Sequence, residues 1–186
     1  MAGSALVGTR LSEADLRGSN LRDAKLGLAV LTRALLGKCD LSGADLQTAD
    51  LSGADLYRAN LSGANFNQAK LRATNFQEAD LKQATLLLAD LSEADFLMAS
   101  CVGTDLSGAN LTGARLEAAV LRGANLSLAR LSGADLKDAD FTDANWWRSR
   151  GLSSIDLARL MRDFQPGTNA PAELRADFED WQAKGD

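Results

Sequence analysis

Every fifth residue from Leu6 to Trp146 is bulky and apolar, without a slip of register over 29 positions. Twenty-three of these centres are Leu; the others are Phe66, Phe76, Phe96, Phe141, Cys101 and Trp146. Two residues before each centre the side chain is small: Ala in most cells, otherwise Ser4, Thr9, Ser19, Cys39, Thr74 or Thr104. The residue just before the centre is Asp or Asn in 18 of the 29 cells, and 10 of the chain's 16 glycines fall two residues after a centre. The unit is A-(D/N)-L-x-x, cleanest in Ala44-Asp45-Leu46, Ala54-Asp55-Leu56 and Ala64-Asn65-Phe66.

A period of five suits neither simple element. In an α-helix five residues advance about 500°, so successive leucines would scatter around the cylinder. In a straight strand an odd period throws successive leucines onto alternate faces. Either way about half of them would meet water. The pattern is consistent only with a chain that turns a corner in every cell, so that each leucine points back to a shared axis. By strand alternation the small residue two positions earlier also points inward. The Gly, Ser and Asn that follow many centres are the residues that turns favour.

Unbroken over about 145 of 186 residues, these cells resemble the pentapeptide-repeat family. The resemblance implies an all-β solenoid, a right-handed quadrilateral β-helix in which four cells close a coil of about 20 residues. Twenty-nine cells then make about seven coils, a rod of roughly 35 Å at an inter-strand spacing of about 4.8 Å. A single coil cannot bury its leucines; stacking buries a continuous column. Such a column, filled with Leu and Ala, is too narrow for a ligand, which argues against an enzyme.

After Trp146-Trp147-Arg148 the pattern stops. Ser153 or Ser154 caps a predicted helix running to about Phe164, with Ile155, Leu157, Leu160, Met161 and Phe164 as its apolar residues. Pro166-Gly167 ends it, and Pro171 opens a second, to about Ala183, with Leu174, Phe178 and Trp181 on one face. The expected division is a repeat rod over 4–148 and a helical cap over 149–186. The cap's task is to cover the last coil, whose leucines and strand edges would otherwise be bare. Only three residues precede Ser4, so the N-terminal coil is expected either to fray or to be covered by another chain, a homodimer being one way.

Composition narrows the chemistry. The net charge of −5 argues against nucleic acid as partner. No run of 18 apolar residues exists to span a membrane, and no signal peptide is evident, so a cytoplasmic location is expected. With no His there is no His-based triad or zinc site, and no cofactor is implied. The 11 Asp before centres are read as acceptors for turn backbone, since metal binding would need clusters of definite spacing. Cys39 and Cys101, about three coils apart, are too distant for a disulfide.

Outward apolar residues are the informative departures. Leu28, Val30 and Leu35 stand where polar residues are usual. Leu87 and Leu88 fall on one side, Leu97 and Met98 on the opposite side of about the same coil, with Val102 following and Tyr57 on the side of Leu97. Adjacent pairs on a rod otherwise coated with Ser, Gly, Arg and Asp point to a contact surface for an unidentified protein partner. The resemblance also implies an alternative, because some pentapeptide-repeat proteins bind DNA gyrase as acidic imitations of DNA. Residues 1–145 hold 18 acidic and 14 basic side chains, a net of −4, far short of the about 20 phosphate charges on an equal length of duplex. The expected function is therefore a non-enzymatic interaction scaffold, with a gyrase-directed mimic as the alternative.

Overall fold

The computed structural model describes residues 1–184. Its repeat region is held by 26 isolated parallel β-bridges, each joining a residue to the one 20 further on, from Ala5–Lys25 to Arg130–Arg150. Among the described residues no extended strand forms; each cell gives one bridged residue, the one before its centre. A register of 20 is four cells, so every fourth cell stacks into a column and the coil has four sides. The first side carries Leu6, Leu26 and their successors to Trp146. The second starts at Leu11, the third at Leu16 and the fourth at Leu21.

A hydrogen-bonded turn separates successive bridges. Ala14 donates its N–H to the Leu11 carbonyl at 3.1 Å, and Ala94 to Leu91 at 3.1 Å, the same step recurring along the chain. The third residue of each turn lies near φ +60°, as type II turns require. Glycine reaches that region freely, but 18 of these residues are not glycine.

Centres and small residues line the axis and are buried from Leu21 onward, except Ala134 near the cap, which is partly buried. Phe76 and Phe96, neighbours on the third side, stack with centroids 4.8 Å apart, and Phe66 meets Phe76 edge-on at 6.5 Å. Where Thr replaces Ala the extra hydroxyl finds a carbonyl one coil back: Thr74 donates to Leu51 at 2.9 Å and Thr104 to Leu81 at 3.0 Å. This satisfies a polar group that would otherwise be costly to bury.

The outward Asp and Asn do what was expected of them. Asp40 Oδ1 accepts the N–H of Ser42 at 3.1 Å, and Asp45 that of Gln47 at 3.2 Å. The columns add a second link, unseen in the sequence: Asn60 donates its side-chain amide to Asp40 at 3.1 Å, and Asn75 to Asp55 at 2.8 Å.

The two ends differ. At the N-terminal end Leu6, Leu11 and Leu16 are only partly buried. At the other, α1 (Ser154–Asp163) and α2 (Ala172–Lys184) fit a cap. Ser153 Oγ accepts the N–H of Asp156 at 3.0 Å and starts α1. Leu160 and Phe178 are buried, with Met161, Phe164, Leu174 and Trp181 packed around them. Trp146 donates its indole N–H to the Phe164 carbonyl at 3.0 Å, and Trp147 donates to Asp177 at 2.9 Å. Two predicted apolar contacts of α1 are absent, since Ile155 and Leu157 are exposed. Ile155 is five residues before Leu160, about 140° around the helix from the docked face. No helix among the described residues is long and apolar enough to cross a membrane.

Candidate interaction surface

Because the register is 20, the nine outward apolar residues are distributed over all four sides. Leu28, Leu87 and Leu88 stand on the first, Val30 on the second, Leu35, Tyr57, Leu97 and Met98 on the third, and Val102 on the fourth. Leu28, Leu88 and Met98 are 64%, 58% and 60% exposed. Leu35 and Leu87 are a little over one third exposed, while Val30, Tyr57, Leu97 and Val102 are half-buried. The doublets Leu87–Leu88 and Leu97–Met98 are separated by two cells, half a coil, so they face opposite ways. Leu28 is three coils from Leu88, about 14 Å along the rod, and forms no continuous patch with it.

The third side also carries an open notch of about 530 Å³ over Gly18 and Gly37, walled by Arg17, Lys38, Asp55 and Tyr57. Most of its polar groups are already engaged. Arg17 donates to Asp15 at 2.6 and 2.8 Å, and these hydrogen bonds hold the Asp15 carboxyl down to about 2. The Tyr57 hydroxyl donates to Glu78 at 3.0 Å, and Arg58 donates to the same carboxylate at 2.7 Å with its guanidinium 5.0 Å from the Tyr57 ring centre. Arg58 keeps the Glu78 carboxyl below its ordinary range.

The two cysteines of the interior are held unreactive. Cys39 and Cys101 are free and buried, and burial pushes both thiols up, Cys101 to about 12. A thiol in that state is not a nucleophile at neutral pH. Among the described residues no three Asp, Glu or Cys side chains gather as metal ligands would.

A second surface lies where the rod meets the cap, and reasoning from the repeat missed it. Leu128, Trp147, Arg148, Ser149, Arg150 and Trp181 enclose an open cleft of about 280 Å³. Leu128 is 56% exposed. Arg148 is fixed there by Asp177 and Asp180, at 2.7 and 3.3 Å. One wall of this cleft, Trp181, comes from α2, more than 20 residues beyond the last regular cell, so no five-residue pattern could place it.

Comparison with known proteins gives a consistent picture. A family model described as pentapeptide repeats matches in eight copies, over residues 1–33, 29–68, 39–77, 69–113, 99–138 and 109–146. Among solved structures, the chain is similar to HetL of the cyanobacterium Nostoc sp. strain PCC 7120, a pentapeptide repeat protein involved in heterocyst differentiation regulation. The two share 30% identity over 80% of this chain and 88% of HetL, at a TM-score of 0.42. A second Nostoc pentapeptide repeat protein, alr5209, shares 38% identity over 50% of this chain and 79% of its own, at a TM-score of 0.44. QnrB1, a plasmid-mediated fluoroquinolone resistance protein, shares 21% identity over 86% of this chain and 94% of its own, at a TM-score of 0.31. No curated protein matches the chain.

Proposed function

Since the chain belongs to the pentapeptide repeat family, whose cells imply a β-helix solenoid, we propose that it is a non-enzymatic scaffold that binds another protein through its outer sides. In this reading residues 4–148 form a right-handed, four-sided rod of about seven coils, residues 149–186, of which the last two lie outside the described residues, make up the cap region, and the protein works in the cytoplasm. The observation that carries the reading is the pair of apolar doublets, Leu87–Leu88 and Leu97–Met98, held outward on one rigid coil whose interior is filled. A backbone bonded to the coils before and after it presents its side chains already ordered, so little entropy is lost when a partner docks.

The gyrase-directed alternative has less behind it. Duplex DNA offers continuous lines of negative charge. Here no bridge stacks carboxylate on carboxylate; Asn, Thr, Ser, Val, Leu, Lys or Arg always intervenes.

Affinity capture from a native lysate tests the scaffold, using the intact chain and one with Leu87, Leu88, Leu97 and Met98 all changed to Ser. The expected result is a protein retained by the first and lost from the second. Equal capture by both chains would sink the assignment of these doublets. Protection or inhibition of gyrase in a supercoiling assay would favour the alternative.

A further inference from the structure

The bridged columns bring outward side chains closest, one inter-strand spacing of about 4.8 Å apart. Charges along them follow a rule. Asp40, Asn60 and Asp80 alternate; so do Asp50, Lys70 and Asp90, and Asp95, Arg115 and Asp135. Of the 26 bridges, one joins like charges: Arg130 to Arg150. Like charges directly opposite each other destabilise a pairing. Both guanidinium groups are exposed, and among the described residues no carboxylate forms an ion pair with either. The neighbouring Arg148, by contrast, is held by two carboxylates.

The exception stands at the junction cleft. Arg150 lines it together with Leu128, Trp147 and Trp181, and Arg130 lies one coil further from the cap. The apolar lining continues down the first side, because Leu88 lies across Gly108, where a Cβ would come within 2.7 Å of its Cδ2. Two uncompensated positive charges thus border a cleft whose apolar wall is Leu128, Trp147 and Trp181, on a chain of net charge −5.

We propose that this junction is a docking site for an acidic peptide segment with an apolar anchor. Its carboxylates meet Arg130 and Arg150, and its anchor enters the cleft against Leu128, Trp147 and Trp181. Charge complementarity selects the occupant: the planar guanidinium suits a carboxylate bidentately, and the cleft wall suits an aliphatic or aromatic side chain. Although Leu88 adjoins it, the site consists of Arg130, Arg150, Leu128, Trp147 and Trp181, and stands whether or not the doublets bind.

The test is fluorescence anisotropy of a dye-labelled peptide of alternating Glu and Leu, titrated with the full chain. Binding should weaken as salt is raised. It should fall at least about tenfold when Gln replaces the peptide's Glu, or Ser its Leu. A loss of about the same size is expected in the Arg130→Asn/Arg150→Asn double variant and in Leu128→Ser, while Val7→Ser, at an exposed position on the same side near the other end, changes nothing. The Arg130→Asn chain should keep or raise its thermal midpoint, since Asn extends the column above Asn110 and removes the like-charge contact. A lowered midpoint would mean the arginine is structural, and would overturn the proposal. Equal affinity for the Gln peptide, unchanged affinity in the double variant, or comparable competition by duplex DNA would each do the same. A chain ending at Lys184 should bind as the full chain does. Markedly tighter binding there would give the cleft to the chain's own last residues and overturn the assignment.

Discussion

At the third turn position a residue with φ near +60° recurs every five residues, and the chain tolerates Leu28, Ala73, Leu88, Met98 and Leu128 there. An L side chain in that region costs about 1–2 kcal/mol, which glycine avoids at the expense of greater freedom when unfolded. Ala73 is exposed and has no polar side-chain contact to lose. Ala73→Gly is therefore expected to stabilise the protein by about 0.5–1 kcal/mol, read as a higher urea midpoint with unchanged slope. A lower midpoint would show that the turn is not strained. This strain was invisible in the sequence, where the third position looks merely permissive. The inward slots were legible: Ala is demanded by space, and Thr74 and Thr104 enter because each hydroxyl reaches a carbonyl of the coil before.

Among elements, the cap is the one whose docking depends on charge as well as apolar contact. Asp177 accepts from both Arg148 and Trp147, and the Arg148 guanidinium holds its carboxyl below the usual range. A carboxyl with a lowered folded value contributes stability above the unfolded value of about 4 and loses that contribution as pH falls through the lower folded one. Tryptophan emission from the Trp146–Trp147–Trp181 cluster should thus stay constant from neutrality to about pH 4 and shift to the red below it. Asp177→Asn should remove that acid step; an identical step in the variant would assign it elsewhere. Both helices could be anticipated from Ser153, Pro166-Gly167 and Pro171. The docked face of α1 could not, because ten residues leave Ile155 and Leu157 apolar but turned away from the coil.

Across the whole molecule, stability is a sum over stacked coils rather than a property of one core. Leu91, fully buried between neighbouring coils, should cost about 2–5 kcal/mol when changed to Ala, with unfolding in urea as the measure. Leu11, half-buried in the first coil, has less apolar surface to return to water, so Leu11→Ala should cost less than half as much. Similar losses at both positions would contradict a column that is less well packed at its N-terminal end.

The linear sequence by itself determined the five-residue cell, the inward column, the outward Asp and Asn as turn acceptors, and two helices after Trp147. Each of these depends on contacts within a few residues, or on an alternation that local geometry enforces. Which cells are neighbours does not follow from the five-residue period; only the family resemblance implied a coil of four cells, and the stacked bridges of the tertiary structure supply the register. The register of 20 sets Asn60 against Asp40, divides the outward leucines among four sides, and brings Arg130 beside Arg150. The cleft at the cap came from the same source, because Leu128, Trp147 and Trp181 belong to segments that meet only once the coil is wound and α2 folds back onto it.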